Sequence, residues 1–234
     1  MLNQMKNSFI YFFITLFLFG CAKQTFIGEE YLGAKYMNSP LGEGKAPDTD
    51  PLIRFDAFDC TTFVETALAH GDVNKLNQIR YKDGNVDFLS RNHFTETDWL
   101  NNNKNLLENV SDLYGKTETR VVINDKQNWL LKTHNIKTNL KPQRAEIKYI
   151  PYKNIDKIET KEPLIVLFIY KNPKIYDKIG SDIAVIHMGF LLPNGQLRHA
   201  SRRYGRVMDT NFNKYIRQIA KNEHNIGITL VKIK

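Results

Sequence analysis

Two cysteines and six histidines are the side chains in this sequence best suited to nucleophilic or metal chemistry. Cys60 stands in Phe58-Asp59-Cys60-Thr61-Thr62-Phe63-Val64. Cys60, Phe63, Val64, Ala67 and Leu68 fall on one helical stripe, and Asp59 is suited to be its N-cap. Cys60 is then the first residue of a helix, where unsatisfied amides and the positive end of the macrodipole stabilise an anion. That placement lowers a thiol pKa and offers an N–H to the oxyanion of a tetrahedral intermediate. A nucleophile there needs a base. Of His70, His93, His134, His187, His199 and His224, the fourth and fifth flank Leu192-Pro193-Asn194-Gly195-Gln196, which suits a three-residue hairpin loop with Gly195 in the left-handed position. That loop sets Leu192 opposite Gln196 and Gly189 opposite His199, so His187 and His199 become diagonal neighbours on one face. Gly189 leaves room beside His199. His187 can accept the thiol proton while His199 fixes its tautomer. Taken singly, Cys60 reads equally as a buried inert thiol and each histidine as a satisfied core residue. Together they favour chemistry.

Those residues need a helix and a sheet to hold them. A short helix is expected over Glu29 to Met37, and a surface loop over residues 38 to 51, which carry three Pro and two Gly. The Cys60 helix follows, then helical pieces near 74 to 80 and 97 to 108. Strand patterns begin later: Thr119 to Ile123, Leu164 to Tyr170, Asp182 to Leu192, Gln196 to Ser201 and Gly227 to Ile233, with a helix over Asn211 to Lys221. Residues 135 to 162 give no readable pattern. The sum is α+β, helices first and an antiparallel sheet later.

The first 20 residues read as a signal segment, with Lys6 before an apolar run ending at Gly20. That run is shorter than the ~20 apolar residues of a spanning helix. Leu18-Phe19-Gly20-Cys21 resembles a bacterial lipobox. The resemblance implies that Cys21 is lipidated and anchors the chain to a membrane through residues 21 to 28 as a tether. The body then lies in the periplasm or cell envelope, where two cysteines, one of them lipidated, build no disulfide framework. The net charge of +8 comes from Lys and Arg scattered among carboxylates, so it names no partner, and no nucleic-acid motif is present.

Asp59-Cys60-Thr61-Thr62-Phe63-Val64, Ile186-His187-Met188-Gly189-Phe190 and Leu197-Arg198-His199-Ala200-Ser201 resemble the three catalytic segments of the NlpC-like, papain-fold cell-wall cysteine hydrolases. With Ile79-Arg80-Tyr81-Lys82-Asp83-Gly84, Ser90-Arg91-Asn92-His93-Phe94 and Asp98-Trp99 added, the chain is similar to the AmiA-like N-acetylmuramoyl-L-alanine amidase family. The resemblance implies one papain-like domain over 29 to 234, with the nucleophile helix packed on an antiparallel sheet and a helical insertion at about 70 to 160. It implies Cys60 as nucleophile, His187 as base and acid, and His199 as orienter. Tyr36 would help polarise the carbonyl, while Asp59 and Thr61 would help bind a substrate amine. Arg80, Asp83, Arg91, His93 and Asp98 belong to the motifs without an assigned role, and ion pairs and caps are the expectation for them.

The implied substrate is peptidoglycan, as muropeptide or stem peptide, and no cofactor or metal is required. The bond is either the lactyl–L-Ala amide or one within the stem, and the amine-binding role of Asp59 and Thr61 leans to the second. A zinc amidase with Cys60, His187 and His199 as ligands, and a non-enzymatic lipoprotein binding anionic wall polymer, are the rivals from other classes.

Overall fold

The computed structural model describes residues 25–234, so the signal segment and Cys21 lie outside the described residues. In chain order the elements are β1 (Lys35–Tyr36), β2 (Ala57–Phe58), α1 (Cys60–Leu68), α2 (Val73–Arg80), α3 (Leu100–Asn102), β3 (Leu107–Asn109), β4 (Glu118–Asn124), α4 (Lys126–His134) and β5 (Gln143–Pro151). They continue with β6 (Leu164–Tyr170), α5 (Ile175–Ile179), β7 (Val185–Leu191), β8 (Gln196–Ser201), β9 (Arg206–Asn211), α6 (Phe212–Ile219) and β10 (Asn225–Ile233). The fold is α+β. One sheet runs β2-β1-β9-β8-β7-β6-β10-β5-β4, with β3 beside the far end of β10. Every pairing is antiparallel except β1 with β2.

The β6 sequence, Leu-Ile-Val-Leu-Phe-Ile-Tyr, is apolar at nearly every position because both faces of the sheet are covered. Ile165, Leu167 and Ile169 join Phe63, Val64, Ala67, Met188 and Phe190 on the α1 side. Leu164, Val166 and Phe168 join Leu191, Leu197, Phe212, Ile216 and Leu230 on the α6 side. Helix α1 is fixed by edge-on aromatic contacts of Phe63 with Phe58 of β2 (6.0 Å) and with Phe190 of β7 (5.8 Å). Asp59 caps it through the Thr62 amide, and Thr62 Oγ1 accepts the Asp59 amide in return. Caps of this kind contribute ~1 kcal/mol.

The β7–β8 hairpin has the register read from its turn: Phe190 faces Arg198, Leu191 faces Leu197, and the Leu192 amide donates to the Gln196 carbonyl. Gly195 sits at φ +73°. Elsewhere the expectations shift. Glu29 to Met37 is not a helix: a 3-10 turn ends at Tyr31, and Gly33, at φ +89°, donates to the Val207 carbonyl and turns the chain into β1. The helix expected over 97 to 108 is a π-turn, Thr95–Trp99, running into α3. It stops where the Asn103 side chain donates to the Ile79 and Trp99 carbonyls. The segment from 70 to 160 is only partly helical, since it contributes β3, β4 and β5 to the sheet. The loop over 38 to 51 is anchored rather than superficial: Leu41, Gly42 and Glu43 are buried.

Candidate active site

Three stretches of chain converge around Cys60. Parallel pairing of Tyr36 with Phe58 brings Tyr36 beside the start of α1. The β7–β8 ladder ends at Phe190 and Arg198, while β7 stays paired to β6 and β8 to β9. His187 and His199 lie in the unladdered stretch. His187 Nε2 and His199 Nδ1 meet at 2.7 Å, as their diagonal register predicts. Gly189 makes this approach feasible, because a Cβ there would lie 2.8 Å from His199 Cβ and 2.7 Å from the Arg198 carbonyl oxygen. Phe168 stacks on the His187 ring, and Tyr215 of α6 stands edge-on to His199.

Cys60 and His187 together line two cavities, of about 640 Å³ and about 230 Å³. The larger runs along β8, β9 and α6 and includes His199, Tyr36 and Tyr215; the smaller includes Thr61, His93 and Trp129. Since Nε2 of His187 is taken by His199, Nδ1 is the nitrogen left to exchange a proton with Cys60. Neutral His187 donating from Nε2 puts the proton of His199 on Nε2, a buried atom with no hydrogen-bond partner among the described residues.

The ionisation of the pair differs from the helix-dipole expectation. Burial first, and the Asp59 carboxylate second, push the Cys60 thiol up to about 12. The Met188 amide and the Thr61 hydroxyl and amide oppose that rise without cancelling it. Burial holds His187 down at about 3, with the His199 charge adding to it, and His199 at about 4. At neutral pH both partners are therefore uncharged.

Tyr36 donates its hydroxyl to Asn38 at 3.0 Å, and its pKa is raised by burial and then by Cys60. Asp59 is heavily engaged: Oδ1 accepts the Thr62 amide and hydroxyl, and Oδ2 accepts the Ser39 amide. The Thr61 hydroxyl stands 4.0 Å from Cys60 Sγ. Among the described residues no group of three or more His, Cys, Asp or Glu side chains is arranged to hold a metal.

The motif residues without roles act on the loops around the site. Arg80 pairs with buried Glu65 at 2.8 Å and donates to the Leu41 carbonyl. Arg91 pairs with Glu43 and Asp48, and Asp98 with Lys126. His93 donates from Nε2 to the Phe88 carbonyl and packs on Trp129, whereas Asp83 is exposed in a turn at φ +55°. Glu96 escaped the sequence reading. Its buried carboxylate accepts the Ala184 and Val185 amides at 2.5 and 2.6 Å, fixing the entry of β7 two residues before His187. Thr95, Thr97 and Asp98 around it are polar, so no local signal marks it.

The model of the AmiA-like family, described as N-acetylmuramoyl-L-alanine amidase-like, matches residues 26–225. A solved Legionella pneumophila protein is 24% identical with a TM-score of 0.81, covering 88% of this chain and 86% of its own. An N-acetylmuramoyl-L-alanine amidase from Bacteroides uniformis is 22% identical with a TM-score of 0.67, covering 88% and 95%. At these identities the structures show a shared fold. No curated protein matches. With two hundred consecutive residues matched by one family model, the chain belongs to the AmiA-like N-acetylmuramoyl-L-alanine amidase-like family.

Proposed function

We propose that the protein is a thiol-dependent peptidoglycan amidase that cleaves the bond between the lactyl group of N-acetylmuramic acid and L-Ala, on a papain-like core. The carrying observation is the 2.7 Å His187–His199 bond beside a helix-start cysteine on a shared cavity. His187 Nδ1 takes the Cys60 proton as sulfur attacks the carbonyl. The helix-start N–H groups hold the oxyanion, assisted by the Tyr36 hydroxyl once its proton turns from Asn38 to the oxyanion. His187 then protonates the leaving amine, and water releases the acyl group. His199 holds the His187 ring and its tautomer.

Asp59 bears on the choice of bond. Its carboxylate is already occupied by three protein donors, which weakens its case as the receptor of a free L-Ala amine. Cleavage at the glycan needs no such receptor, and Thr61 then faces the acyl side. Lipidation of Cys21 would hold the enzyme at a membrane of the cell envelope, where this substrate lies.

The test is mass spectrometry of products from sacculi and from purified stem peptides, treated with the full chain or its Cys60→Ala variant. Intact stems released by the wild type alone, and undiminished by a chelator, are the expected result. Split stems would instead establish an endopeptidase. Identical profiles from both proteins would leave the wall-binding lipoprotein as the better reading.

A further inference from the structure

The two sides of the scissile bond differ in charge. On the amidase reading, on which this inference rests, the acyl side is a sugar lactyl group and the amine side is a peptide carrying carboxylates of D-Glu and of the diamino acid. The two sides of Cys60 differ in charge as well. In the smaller cavity the only acid, Glu96, is occupied by backbone amides. Arg80 and Arg91, in the adjoining cleft behind Asp59 and Thr61, are consumed by Glu65, Glu43 and Asp48. No cation is left over there among these arginines.

The larger cavity is the reverse. Arg202, Arg203 and Lys214 line it, all three exposed; none makes an ion pair among the described residues, although Arg203 lies over the Tyr204 ring at 5.6 Å. Its acid, Asp209, is held by Arg198 through two bonds of 2.8 and 2.9 Å. The residues lining the cavity also carry two buried polar atoms without a partner among the described residues, His199 Nε2 and Thr210 Oγ1. His199 is 1% exposed, and an N–H at its Nε2 has no acceptor among the described residues. Unspent cations at the rim and an unspent donor on the wall together describe a receptor for anionic oxygen atoms.

We infer that the cavity between β8, β9 and α6 is the subsite for the amine-side peptide, with Arg202, Arg203 and Lys214 binding its free carboxylates. The acid peptide would be recognised by charge, and amidation of its carboxylates would remove that recognition. The leaving peptide then lies on the same side as His199.

The experiment compares muramyl tetrapeptide bearing free carboxylates with the same compound bearing amidated ones. Substrates are presented to the full chain and to the triple variant Arg202→Gln, Arg203→Gln, Lys214→Gln. Wild type is expected to favour the free acid by about tenfold or more in kcat/KM, chiefly through KM, and the triple variant to lose that preference. An acid-to-amide ratio that is near one in the wild type, or unchanged in the variant, overturns the assignment. A wild type that cleaves neither compound sinks the amidase reading instead. In that event, calorimetric binding of free stem tetrapeptide to the Cys60→Ala protein decides the subsite. Weakening by about tenfold on adding the three substitutions supports it, and equal affinity overturns it.

Discussion

Cys60 and His187 rest as a neutral thiol and a neutral imidazole, because burial costs both charged forms more than the helix start or the facing partner returns. A pre-formed thiolate–imidazolium pair would need the opposite order of the two pKa values. On the proposed mechanism the proton would be transferred as the substrate carbonyl is attacked, and the pH dependence should record this. We expect kcat/KM to stay flat between about pH 6 and pH 8, with no acid limb at the ordinary imidazole value of about 6.5. Iodoacetamide should alkylate Cys60 at pH 7 at least ~100-fold more slowly than a free cysteine peptide, accelerating as pH rises. Rapid alkylation at pH 6 would reveal a resting thiolate.

At the scale of elements, the dyad exists because two strands part after a short ladder and a glycine lets their side chains cross. Gly189→Ala would drive a Cβ into the Arg198 carbonyl and the His199 Cβ, both fixed in the sheet. The expected loss is about 2 kcal/mol of stability, read by urea unfolding, with activity falling further than the folded fraction. A variant equal to wild type in both would show that the strands yield freely. This hairpin was legible in the sequence because Pro193-Asn194-Gly195 suits a three-residue loop better than a two-residue turn, and the loop geometry sets every residue across the ladder. Helix α1 was legible from its stripe and cap. By contrast, β1 and β2 span two residues each and exist only through each other and β9. Strand β5 alternates only over Glu146 to Tyr149, with Glu146 and Lys148 exposed and Ile147 and Tyr149 buried, and it gains its place by pairing with β4 and β10. Neither β9 nor α4 was anticipated, since their polar faces outnumber their buried ones. Glu96 acts across 88 residues, a distance over which local pattern carries no information.

The whole molecule ties the site to global stability, because Cys60 belongs to the first half of the chain and both dyad histidines to the second. The last strand, β10, lies inside the sheet between β6 and β5, so neither half is complete without the other. His93, His187 and His199 are held neutral by burial, with His187 at about 3 and His199 at about 4. The unfolded chain takes up protons at these positions once pH falls below about 6.5, while the native state does not, so acid favours unfolding. Their contribution to stability is fully present above about 6.5 and is lost as pH falls towards the folded values, at ~1.4 kcal/mol per pH unit for each histidine. Buried Glu65 and Glu96, both raised by burial, act in the opposite sense, since their native forms retain protons that the unfolded chain releases. A difference measurement separates the two effects. Between pH 7 and pH 5 the wild type should lose about 2 kcal/mol more stability than His199→Gln, whose unfolded chain has one fewer site to protonate. Urea unfolding at the two pH values measures it. Equal losses in the two proteins would mean that His199 is protonated as readily in the native sheet as in the open chain, contrary to its 1% exposure.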